Sequence, residues 1–138
     1  MKVLVLVKAD SNSEAGILPP PELFEKMHAF NSELVKAGVM LAAEGLQPSS
    51  KGKRIRFAGG KKTVIDGPFT ETKELVAGFW LWQVRSMEEA VEWLKRAPFD
   101  ETEVEIRPIY APEDFGDALP KDVKDGAERL RKQVESKK

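Results

Sequence analysis

The order of apolar segments predicts an α+β domain: strand, helix, strand, short hairpin, strand, helix, strand. Three observations carry that expectation. Val3 to Val7 is an unbroken apolar run, β-branched at alternate positions, as in a strand covered on both faces. Leu23, Met27, Phe30 and Leu34 recur at helical spacing and define one broad buried face. Val76 to Val84 is apolar on both parities, with Trp80, Trp82 and Val84 on one and Phe79 and Leu81 on the other.

Each element has its own signals. After the first strand, Ser11 to Gly16 reads as a small polar loop, and Pro19-Pro20-Pro21 as a stiff entry to a helix. Proline suits the first helical turn because its missing N–H has no partner there anyway. The helix runs from Glu22 to Ala37, and Gly38 ends it in the manner of a left-handed cap. Val39 to Leu46 resumes as a strand, which Pro48-Ser49-Ser50 breaks. Ile55-Arg56-Phe57 and Thr63-Val64-Ile65 flank Ala58-Gly59-Gly60-Lys61, which predicts a hairpin with a glycine turn. Ser86 followed three residues later by Glu89 is a capping-box pattern, opening a helix that buries Met87, Ala90, Val91 and Leu94. Lys95-Arg96 suit its negative end, and Pro98 stops it. Val104 to Ile109 is the last strand.

The plan is therefore βαββαβ, the split βαβ or ferredoxin-like arrangement, with an inserted hairpin. In it both helices cover one sheet face. The other face, carrying Phe79 and Leu81, must find cover of its own, which predicts a homodimer with sheets packed face to face. The domain is expected to span 1–116. Residues 117–138 form a charged tail, whose Lys121 to Lys138 segment can make an amphipathic helix with Val123, Ala127, Leu130 and Val134 on one stripe.

Composition narrows the function classes. The 138 residues suit one domain, and 41% hydrophobic content supports a core. Net charge is -1, from 22 basic and 23 acidic residues, which argues against a broad nucleic-acid footprint. The basic clusters Lys51 to Arg56 and Lys61-Lys62 read as solvated hairpin ends. Without cysteine there are no disulfides, thiolate metal sites or thiol nucleophiles. The apolar start is too short for a secretory leader, and no run approaches a membrane span. The expectation is a cytoplasmic protein with no membrane association.

The segment Asp66-Gly67-Pro68-Phe69-Thr70-Glu71-Thr72-Lys73-Glu74 combines turn formers, an aromatic anchor and dense charge. Asp66 suits a turn whose carboxylate accepts backbone N–H groups, and Phe69, Glu71 and Lys73 are candidate ligand contacts. Glu74, if it faced an apolar cavity, could move protons. His28, the single histidine, is a candidate acid or base. Glu44 interrupts an apolar strand, so it calls for a partner, for which Arg107 is a candidate. One histidine without metal-ligand spacing points to no metal, and no cofactor is expected. Gly59-Gly60-Lys61-Lys62-Thr63 lacks the glycine spacing and the following helix of a phosphate loop.

Phe30 to Val39, Ala43 to Pro48, Asp66 to Glu74, Ala77 to Trp80, Glu89 to Trp93 and Glu105 to Pro108 together resemble the YciI-like family. The resemblance is to the subgroup named for its Asp-Gly-Pro-Phe motif, and it covers about Lys2 to Gly116. It implies a dimeric α+β barrel with a cleft between sheet and helices. Some relatives act without a cofactor on small cyclic or aromatic compounds, as dehydrochlorinases or lyase-like enzymes. Others are encoded beside, or fused to, alternative sigma factors. In the enzyme-like branch a histidine on the first helix, close to His28 here, works with an aspartate after the second helix. Ala97-Pro98 occupies that second position, and Asp100 comes two residues late, which moves weight to the loop from Asp66 and to Glu44.

The reading is a small-molecule-binding protein, with cofactor-independent lyase or proton-transfer chemistry as its enzymatic form. Its catalytic candidates are His28, Asp66 and Glu74; its substrate-binding candidates are Glu44, Phe69, Glu71, Lys73 and Arg107. The alternative is a non-enzymatic regulatory or accessory module that engages an alternative sigma factor or other protein through the tail helix.

Overall fold

In chain order the elements are β1 (Lys2–Lys8), α1 (Ser11–Glu14), α2 (Pro21–Lys36), β2 (Met40–Gly45), β3 (Lys53–Ala58), β4 (Lys61–Asp66), β5 (Val76–Gln83), α3 (Met87–Lys95), β6 (Val104–Pro108) and α4 (Lys121–Ser136). This is a computed structural model, and it describes residues 1–71 and 74–137. The chain divides into two units, Met1–Pro108 and Ile109–Lys138.

The first unit is built on a four-stranded antiparallel sheet in the order β2-β5-β1-β6. With the hairpin set aside, that is the ferredoxin-like order. The sheet is open, with β2 and β6 as its edges. Val3 and Val5 of β1 and Trp80 and Trp82 of β5 share one face with Phe30 and Leu34 of α2 and Ala90 of α3. Trp82, Leu34, Val3 and Val5 are fully buried, each worth about 1.5–3 kcal/mol by transfer from water. The opposite face carries Leu4 paired with Leu81 and Leu6 paired with Phe79, as the two-faced apolar pattern of β5 requires.

The caps follow the local sequence. Pro21 opens α2, and Gly38 at φ 72° closes it. The Gly38 N–H then donates to Val35 and the Val39 N–H to Leu34, which turns the chain back to bury Val39. Ser86 caps α3 by accepting the Glu89 N–H at 3.1 Å. The Glu89 carboxylate reaches back to the Arg85 N–H at 2.7 Å, one residue earlier than in a standard capping box.

Strands β3 and β4 form a separate two-stranded sheet, turned by Gly59 and Gly60 at φ 57° and 75°. A two-residue turn of this hand matches the twist of its strands. The basic residues expected at the hairpin's ends lie along its strands, and Ile55, Phe57 and Val64 are exposed beside them.

Two expectations change. The polar segment from Ser11 is a helical turn, because Asp10 and Ser13 cap each other: the Asp10 carboxylate accepts the Ser13 N–H at 2.7 Å, and Ser13 Oγ accepts the Asp10 N–H at 2.9 Å. Pro112–Ala118, to which the sequence assigned no element, is a pair of 3-10 turns, and in the same unit Tyr110 stacks on Phe115 with ring centroids 4.7 Å apart. Beyond them α4 leaves Val123, Leu130 and Val134 more than half exposed. Among the described residues no helix is long and apolar enough to cross a membrane.

Candidate functional site

A cleft of about 250 Å³ opens between the sheet and α2. Two glycines make it. Gly45 pairs with Gly78 across β2 and β5, and each stands where the alternation of its strand would otherwise place a side chain over the helix-facing side. A Cβ at Gly45 would meet nothing within 4 Å, so a side chain there would project into open space. At Gly78 a Cβ would lie 3.1 Å from the Glu44 carbonyl oxygen. Side-by-side glycines therefore leave the floor bare, and Val7, Ala43, Trp80, Met27 and Phe99 supply apolar walls.

Asn31 is the polar side chain of the α2 wall. The Trp80 indole N–H donates to its Oδ1 at 2.9 Å. Met27 and Asn31 lie one turn apart on α2, so both face the cleft. Glu44 and Phe79 border the floor through their positions beside the glycines. Strand alternation sends the Glu44 side chain to the other sheet face, where it is exposed beside Phe79.

The segment from Asp66 is held by backbone proximity. Gly67 donates its N–H to the Gly52 carbonyl at 3.0 Å, and a Cβ at Gly67 would fall 1.8 Å from the Ser49 carbonyl oxygen. The Phe69 N–H donates to Ser49 Oγ at 3.0 Å, and the Arg54 guanidinium sits 3.9 Å over the Phe69 ring. Ser49 in turn donates its N–H to the Glu14 carboxylate at 2.9 Å and its hydroxyl to the same group. Those two bonds hold the Glu14 carboxyl below the usual carboxylate range, the hydroxyl contributing most. One turn of helix, one 3-10 turn (Ser49–Lys51) and the loop are thus pinned together at Ser49. Asp66 itself is exposed and paired with Lys53 at 2.5 Å.

The YCII-related domain family matches residues 1–113. The chain belongs to that family. It is also similar to an uncharacterized protein of Rhizobium meliloti (strain 1021), with 33% identity over 91 residues, covering 62% of this chain and 73% of that one.

Within this YCII-related protein the sequence-predicted site residues do not converge on one place. His28 is exposed on α2, three residues before Asn31. Glu74 is exposed in a turn where its N–H donates to the Glu71 carbonyl at 2.9 Å. Asp66, Phe69 and Glu71 belong to the loop just described, and Lys73 lies outside the described residues. The expected Glu44–Arg107 pair is not made. The two residues sit on β2 and β6, opposite edges of the sheet, and Arg107 instead approaches Glu105 at 3.8 Å. Glu105 accepts a hydrogen bond from Lys8 at 2.9 Å, which lowers its pKa.

Sequence reasoning missed Gly45, Gly78 and Asn31. The signal for the glycines was present, since glycine inside a strand marks close backbone approach or a ligand. Asn31 carried no signal of its own, because its role depends on Trp80, 49 residues away.

Two outcomes follow from the pinned loop. Gly67→Ala should destabilise the fold by about 3 kcal/mol, the upper end of overpacking costs, because its Cβ meets backbone that cannot rotate away. A denaturation midpoint within error of wild type would refute it. Glu14→Gln tests the carboxylate. A depressed folded pKa adds stability that is present above the unfolded value of about 4.3 and lost as pH falls through the folded one. Wild type should therefore be the more stable protein near neutral pH, with the difference closing in acid. A pH-independent difference in melting temperature would rule that out.

Proposed function

We propose that this protein is a cytoplasmic homodimer that binds a small cyclic or aromatic compound in the Gly45–Gly78 cleft. The observation that carries this is the bare floor: two strands place glycine side by side under a set of apolar walls. A packed core has no use for such a hollow, since an unfilled volume forfeits dispersion contacts. An apolar cavity of about 150 Å³ holds benzene. At about 250 Å³ the cleft suits one substituted ring.

The enzymatic form of this reading is cofactor-independent proton transfer with His28 as the base. Its support is helical spacing, which puts His28 beside Asn31 on the surface of α2, at the edge of the cleft wall. Acetophenone is a suitable probe, because its methyl hydrogens exchange slowly in deuterated water without a catalyst. Wild type should bind it and speed that exchange. Gly45→Val should fold as well as wild type and bind nothing, since its side chain fills the hollow. His28→Gln should bind the probe and lose the exchange. Unchanged binding by Gly45→Val sinks the cleft reading; unchanged exchange by His28→Gln sinks the catalytic form alone.

The dimer rests on the apolar face of Leu4, Leu6, Phe79 and Leu81, which lies opposite the face that α2 and α3 cover. A second copy's sheet against it would complete a barrel. The rival reading, a module that engages another protein, is favoured by the exposed stripe of α4, with Leu130 at 63%. Sedimentation separates them. Leu81→Glu should convert a dimer to a monomer, whereas Leu130→Glu should leave the mass unchanged if that stripe serves a different protein. A wild-type monomer at micromolar concentration would dispose of the dimer, and a mass lowered by Leu130→Glu would dispose of the rival.

A further inference from the structure

The hydrogen bond between Trp80 and Asn31 decides which polarity the cleft reads. An indole nitrogen can only donate, so the atom of Asn31 that faces it at 2.9 Å must be the carbonyl oxygen. That fixes the amide's orientation. Its NH₂ group is then the end left for something else, and among the described residues no protein acceptor takes those hydrogens. Trp80 is itself closely packed. It is 4% exposed and wedged between Phe30, Trp82 and Phe99, with ring centroids 5.7–5.9 Å apart. The donor is therefore preorganised: a rigid ring holds the amide, and the amide stands in a wall of the cleft.

Building on the binding reading above, we propose that Asn31 is the specificity-determining residue of the cleft, and that the ligand is a neutral ring bearing a carbonyl-type acceptor. Acceptor follows from the free NH₂. Neutral follows from the walls: Val7, Met27, Ala43, Trp80 and Phe99 are apolar, and a carboxylate against them would have one amide in exchange for the part of its hydration shell they displace. A ketone or lactone loses far less and gains a directed hydrogen bond.

Acetophenone and ethylbenzene share size and shape and differ by the carbonyl oxygen, so they isolate this contact. Both should enter the wild-type cleft, acetophenone binding about three- to tenfold tighter, the worth of one neutral hydrogen bond. The Asn31 side-chain NH₂ resonances should move with acetophenone and stay with ethylbenzene. Asn31→Asp keeps an oxygen for Trp80 and replaces the donor with an acceptor. It should retain the Trp80 indole N–H resonance and reverse the preference, leaving ethylbenzene the tighter of the two. Equal binding of both probes to wild type and to Asn31→Asp would overturn the role of Asn31 while leaving the cleft as a binding site. If neither probe binds wild type, the cleft reading fails and this inference fails with it.

Discussion

Trp80 is the point through which the first unit is organised. Its ring packs edge-on against Phe30 of α2 and Phe99 of the α3–β6 connection, and lies tilted against Trp82 on its own strand. Aromatic contacts of this geometry are worth about 0.5–1.5 kcal/mol each beyond the area they bury. A buried indole N–H usually finds an acceptor, and for Trp80 α2 supplies one in Asn31. The same side chain thus sets the distance between sheet and helix, closes the core on one side and forms a cleft wall on the other. Core and cleft are one construction, separated by the width of a ring.

Glycine does opposite work in two places. At Gly45 and Gly78 the missing side chains leave a hollow, and the chain tolerates the weaker strand propensity because β1 and β2 hold β5 on both sides. At Gly67 the missing side chain lets two backbones touch. The Gly45–Gly78 pair opens a hollow, and the single glycine at 67 lets two backbones close on each other. The charged motif that begins at Asp66 therefore turns out to be rich in structural contacts. The exposed Asp66–Lys53 pair contributes little in water, about 0–1 kcal/mol, while the close approach at Ser49 and the Arg54–Phe69 contact give the loop its shape.

Much of the fold was legible because its signals are local. The spacing of Leu23, Met27, Phe30 and Leu34 marked α2, Gly38 marked its end, Ser86 marked the start of α3, and the glycine pair at 59–60 marked the hairpin. The two-sided apolar character of β5 placed Trp80 and Trp82 together on one face. Where the reading went astray, a longer-range or subtler bond decided. Asp10 and Ser13 turn a polar segment into helix by capping each other, a pattern easily taken for loop composition. Glu44 and Arg107 looked like partners by charge alone. Strand order, which inserts β5 and β1 between them, forbids it.

The sequence by itself determined most of the elements, their order and the family to which the chain belongs. These follow from periodicity, caps and motif, each readable within a few residues. Only the tertiary structure decided the candidate site. That Gly45 lies beside Gly78, and that Trp80 reaches Asn31, depends on strand register and on the placement of α2 over β5. Register and crossing are set by the packing of the whole core, so no short stretch of sequence contains them.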